Sequence, residues 1–187
     1  MKFPEINFTP VSHPYPETTM FGAIAASAKR VPDAPALNFM GKYITYKEFV
    51  EKIEMTAGAF LKAGIKKADV VTICMPTTPQ GVICLYALNR IGAVANMVHP
   101  LSSGKNITFY LDYSDSKMIL TLDQFYTKVE KAVAEAKNDV KIIVARIQEE
   151  LPLGKAVAYK YLKTDRTSNI PAKTDLYGLT SLKQAKA

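Results

Sequence analysis

Hydrophobic positions between residues 65 and 146 fall into short continuous runs separated by helical stripes. Val70 to Cys74 is apolar without interruption, as expected of a strand buried on both faces. Thr78 is a good N-cap and Pro79 suits a first helical position, so a helix is expected from Gln80 to Ile91. That helix is apolar nearly all round, through Val82, Ile83, Cys84, Leu85, Tyr86 and Leu88, which predicts deep burial. Gly92 stops it. Ala93 to Val98 is a second strand, and Ser103 caps a helix through Ile107, Phe109, Tyr110 and Leu111. Lys117 to Leu122 is a third strand, Phe125, Val129, Val133 and Ala136 mark an amphipathic helix, and Val140 to Ala145 is a fourth strand.

The earlier chain has another rhythm. Residues 1–17 hold four prolines and little periodicity, and read as an extended arm. Thr18 or Thr19 caps a helix with Met20, Phe21, Ile24, Ala25 and Ala28 on its apolar face, and Pro32 bars its continuation. Ala36 to Phe39 and Tyr43 to Tyr46 flank Met40-Gly41-Lys42, a hairpin signal. Thr45 and Glu48 have capping-box spacing, and the helix they open carries Phe49, Val50, Ile53, Ala57, Phe60 and Leu61 before Gly64. Past Arg146 the periodicity fades, with Ala156 to Leu162 read as a further strand. The expected organisation is an arm over 1–17, a helix-hairpin-helix layer over 18–64, a parallel α/β core over 65–146 and a basic, partly irregular tail over 147–187. The fold class is α/β: a doubly wound, mostly parallel sheet flanked by helices, with right-handed crossovers.

Composition narrows the function classes. At 187 residues and 48% apolar content the chain can bury a sizeable core. No apolar run reaches membrane-spanning length, and the N-terminus has no apolar signal segment. Cys74 and Cys84 lack metal-site spacing and read as reduced core thiols, which points to a cytoplasmic setting. Most of the +7 net charge lies after residue 140, where nine Lys/Arg face four acids. These bases are scattered with little aromatic interleaving, which argues against a nucleic-acid surface.

Two segments carry a family resemblance. Leu85-Tyr86-Ala87-Leu88-Asn89-Arg90-Ile91-Gly92-Ala93-Val94-Ala95-Asn96-Met97-Val98-His99-Pro100 resembles the second core motif of the AMP-forming adenylating enzymes, and Ile44-Thr45-Tyr46-Lys47-Glu48-Phe49 resembles the first. Ser102 to Ile107 and Leu111 to Lys117 look like the family's next helix and turn, so the resemblance covers about Thr18 to Ala145. It implies the N-terminal region of an acyl-CoA synthetase-like enzyme. The intact parent would use MgATP and coenzyme A to convert a carboxylic acid to its acyl-CoA, AMP and pyrophosphate. The matched motifs are physically structural: Thr45 caps, Tyr46 and Phe49 pack, and Gly92 turns.

The family's chemistry needs a Gly- and Ser/Thr-rich phosphate loop and a charge-neutralising Lys. The nearest candidate, Leu179-Thr180-Ser181-Leu182-Lys183, lacks the following glycines. No catalytic residue, metal ligand or cofactor is therefore expected in this chain, and it is expected to be inactive alone. His99, beyond a strand's C-terminal end, is the one candidate substrate-binding residue, although many family members carry Asn there. His13 reads as solvated, and Asp112 and Asp115 as solvated carboxylates at a helix end rather than an acid/base pair. Two other readings stay open: a naturally truncated interaction module, and an unrelated doubly wound nucleotide-binding domain. If Phe21, Ile24, Phe39, Tyr43 and Phe60 lie uncovered, the chain is expected to form a homodimer through that layer or its hairpin edge.

Overall fold

The structure is a computed structural model that describes residues 17–162 and 170. The N-terminal arm with His13, and Leu179 to Lys183, lie outside the described residues. The described residues open with α1 (Met20–Arg30), capped by the Thr19 hydroxyl, which accepts from Gly22 N. Strands β1 (Pro35–Phe39) and β2 (Lys42–Thr45) form an antiparallel hairpin. Met40 and Gly41 both take positive φ in its two-residue turn, the geometry that matches strand twist.

Helix α2 (Tyr46–Lys62) starts at a complete capping box. The Thr45 hydroxyl accepts from Glu48 N, and the Glu48 carboxylate accepts from Thr45 N. Its buried side is Phe49, Ile53, Thr56, Ala57, Ala59 and Phe60, while Leu61, expected there, is exposed. Then come β3 (Val70–Cys74), α3 (Pro79–Ile91), β4 (Val94–Met97), α4 (Gly104–Tyr113), β5 (Met118–Leu122), α5 (Tyr126–Ala134), β6 (Lys141–Ala145) and α6 (Leu153–Leu162).

The four later strands form one parallel sheet in the order β4-β3-β5-β6, at the positions the apolar runs predict. Alternate residues serve opposite faces. Val71, Ile73, Met118, Leu120, Leu122 and Ile143 join a cluster with Phe49, Ile53, Phe60, Ile83 and Leu88 from α2 and α3. Cys74 and Ile119 join Ile107, Leu111, Val129 and Ala132 from α4 and α5. Each Leu or Ile so buried contributes about 1.5–3 kcal/mol. Helices thus cover both faces, and every residue of β5 is buried.

Gly92 ends α3 at φ +73, and a Cβ there would stand 3.1 Å from Lys67 Cγ. The left-handed φ therefore disfavours any larger residue at this turn, and the Lys67 stem would have to shift slightly. Family-motif residues next to it fasten the N-terminal layer. Asn89 Oδ1 accepts from Phe21 N at 3.0 Å, and Arg90 lies over the Phe21 ring while pairing with Glu54.

Four expectations are corrected. Ala156 to Leu162 belongs to helix α6, not a strand. Its Ala, Leu and Lys content favours a helix, and the first helical bond runs from Ala156 N to Pro152 O. Helix α3 is not buried all round, because Val82, Leu85 and Tyr86 face α1 and α2 only in part and are half-buried. On α4 only Ile107 and Leu111 are buried, while Phe109 and Tyr110 are exposed. Phe60 is 1% exposed and Phe21, Ile24 and Phe39 are half-buried, so of the five expected uncovered residues only Tyr43 is open.

The described tail docks on the N-terminal layer. The buried Glu150 carboxylate pairs with Lys42 and Lys52, each at 3.1 Å, and Lys155 Nζ donates to Met40 O.

Candidate functional site

The sheet order sends the chain leftward after β3 and rightward after β5, so these neighbours form a topological switch point at their C-terminal ends. A cavity of about 560 Å³ opens there. The 75–77 turn after β3, the 97–101 loop after β4 and Phe125 after β5 line it. Its walls are mostly Met75, Met97, Val98, Leu101 and Phe125.

His99 is on this wall, where the strand-end argument places it, and it is solvent-exposed. Its Nδ1 accepts from Leu101 N at 3.2 Å, which leaves Nε2 as the donor in the neutral ring. Lys128 Nζ donates to Pro100 O and sits 5.5 Å from the Phe125 ring, so a cation braces the same loop. Burial pushes the Cys74 thiol up to about 11, with Lys128 opposing, and the Cys84 thiol up to about 12. Both are buried, free and unreactive packing groups.

The β3–α3 turn is where a doubly wound fold offers backbone amides to phosphate. Here Pro76 and Pro79 remove two donors, and the Thr78 hydroxyl already accepts from Gly81 N. The β3–α3 turn therefore lacks the free amides of a phosphate cradle. Among the described residues no three His, Cys, Asp or Glu side chains stand close enough to hold a metal ion. Asp112 and Asp115 do not face each other as an acid/base pair. Asp112 Oδ1 accepts from Lys137 N, while Asp115 lies past the helix at φ +50 and pairs with Lys117 at 2.8 Å.

Sequence reasoning nominated His99 but missed Met75, Thr77, Phe125 and Lys128. The strand-end rule that picked His99 points equally to the residues after β3 and β5, once the sheet order is known.

Residues 24–180 match the family described as AMP-binding enzyme. The chain belongs to that family. An unrelated doubly wound domain is thereby excluded. Among relatives, it is 28% identical over 172 residues to a long-chain-fatty-acid–CoA ligase of Bacillus subtilis, covering 88% of this chain and 30% of that protein. An oxalate–CoA ligase of Arabidopsis thaliana is 33% identical over 121 residues, covering 64% of this chain and 24% of that protein. The fold also matches a benzoate CoA ligase from Burkholderia xenovorans LB400, at TM-score 0.64 and 16% identity, over 68% of this chain and 26% of the other. The chain thus spans less than a third of the length of each of these AMP-binding enzymes.

Proposed function

We propose that this chain is the N-terminal α/β portion of an AMP-forming acyl-CoA synthetase. In the intact enzyme a carboxylate oxygen attacks the α-phosphorus of ATP and pyrophosphate leaves. The coenzyme A thiol then takes the acyl group and AMP leaves. The match of residues 24–180 to AMP-binding enzymes carries this reading, and the CoA ligases among the relatives support coenzyme A as the acceptor. Similarity to a long-chain-fatty-acid–CoA ligase supports a fatty acid as the substrate class.

The part played by the described residues is to build the sheet and its C-terminal rim. His99 is proposed to meet the substrate from that rim through Nε2, with Lys128 and the Leu101 amide fixing its loop. The mostly apolar cavity beside it suits the uncharged body of a ligand better than a phosphate. Two buried free thiols support a reducing, cytoplasmic setting. Among the described residues no helix is long and apolar enough to cross a membrane.

The test is acid-dependent exchange of pyrophosphate into ATP. The pure 187-residue chain should show none, and exchange should appear when the remaining regions of an adenylating enzyme are joined to it. Robust exchange by the chain alone contradicts the proposal.

A further inference from the structure

The N-terminal layer is covered from within, but another surface is not. Helix α4 turns Phe109 and Tyr113 outward, 58% and 83% exposed, with their rings stacked at 5.6 Å. Tyr110 meets Phe109 edge-on and is also exposed. Among the described residues strand β4 is one outer strand of the sheet, with Val94 and Met97 exposed and Leu101 open just beyond it.

The free edge can be read residue by residue. Val94 N donates to Asp69 O and Val98 N to Ile73 O, so residues 94, 96 and 98 direct their backbone groups toward β3. Ala95 and Met97 therefore turn their N–H and C=O groups to the open side. Edge strands are commonly protected by charge or proline within the strand. Here residues 91–104 contain no Lys, Arg, Asp or Glu, although the chain carries a net charge of +7. The edge strand itself therefore carries no charge to repel a second copy.

We propose that β4 and the outer side of α4 form a two-fold interface with a second copy of this chain. The edge is self-complementary. Antiparallel pairing of Ala95 with Met97 of the second copy, and the reverse, satisfies all four outward groups and puts Asn96 on the two-fold axis. Asn96 is already oriented from behind, its amide donating to the Thr72 and Ser114 hydroxyls. At about 150–250 Å² per aromatic side chain, the exposed apolar side chains here offer on the order of 600 Å² per copy. Two copies then bury on the order of 1,200 Å², the low end for a specific interface, so a weak, reversible dimer is expected. This surface replaces the N-terminal layer as the site of self-association, because that layer hides Phe60 and half-buries Phe21, Ile24 and Phe39.

Sedimentation velocity on the full 187-residue chain from about 5 to 300 μM tests this. Expected is a reversible monomer–dimer equilibrium within that range. Its constant should weaken at least tenfold in a Phe109→Asp/Tyr113→Asp double variant that keeps the wild-type melting temperature. Asn96→Cys should form a disulfide-linked dimer on mild oxidation, since directly opposed residues of a non-hydrogen-bonded antiparallel pair bring their Cα atoms to about 4.5 Å. The buried Cys74 and Cys84 give little background. If Asn96→Cys fails to fold, the double variant decides alone. A wild-type chain that stays monomeric at 300 μM overturns the proposal. So does a dimer that survives the double variant, or one abolished instead by Tyr43→Asp on the hairpin.

Discussion

The N-terminal layer and the α4–β4 flank carry similar apolar content and meet opposite fates. In the first, Phe21 is held by the Asn89 amide and the Arg90 guanidinium, Phe49 packs edge-on against Tyr86, and Phe60 is sealed under α2. In the second, only Ile107 and Leu111 turn inward, and three aromatics face water. Periodicity predicts apolar faces in both regions. What separates them is the number of neighbouring layers. The N-terminal layer meets α3 and the docked tail, whereas α4 packs on the sheet and α5 and leaves Phe109, Tyr110 and Tyr113 exposed.

The sharpest way to break the contrast is to charge each side. Leu88 is fully buried, so Leu88→Asp should cost several kcal/mol and leave the chain unfolded by circular dichroism. Tyr113→Asp on the open flank should leave melting within a degree or two. Leu85→Asp belongs between them, since Leu85 is half-buried and its carboxylate can reach solvent. If Leu85→Asp and Leu88→Asp melt alike, the placement of α3 is wrong.

Next in size is the Glu150 clamp. Glu150→Ala leaves Lys42 and Lys52 without their shared carboxylate, but both lysines are part-exposed. The expected loss is about 1–2 kcal/mol in chemical denaturation, below that of a fully buried pair. Faster proteolysis near residue 150 with little change at α3 should accompany it.

Smaller again is the capping box. Thr45→Ala should cost about 1 kcal/mol. The Thr45 N–H, and then its hydroxyl, hold the Glu48 carboxyl below the usual carboxylate range. A depressed folded-state pKa adds stability above the ordinary glutamate value of about 4.3, and that stability is lost as pH falls through the folded value. The acid-side loss of stability should therefore be slightly shallower in Glu48→Gln. An acid limb identical in wild type and Glu48→Gln would show that the cap carries no linkage.

Much of this was legible in the chain. The four parallel strands follow from continuous apolar runs, and Thr19, Thr45, Thr78 and Ser103 each cap the helix expected of them. Gly92 takes the left-handed turn that the second motif implies. What was not legible depends on packing between layers. Residues 156–162 carry both strand and helix propensities, and the docked tail that includes Glu150 and Lys155 sits in a helical setting. Tyr110 lies beside the buried Leu111 in sequence, yet the helix turns it outward. The site was half legible: one strand-end histidine can be read from sequence, but the three-loop cavity needs the sheet order.

The central claim is that these residues supply a stable frame of an AMP-binding enzyme without its grip on phosphate. Isothermal titration of the 187-residue chain with MgATP tests it most directly. The account predicts no saturable binding up to millimolar nucleotide from a chain that melts cooperatively. Saturable binding below about 100 μM, lost when Thr78 or Lys128 is replaced, would contradict it, with affinity in that range already worth about 5–6 kcal/mol of contacts.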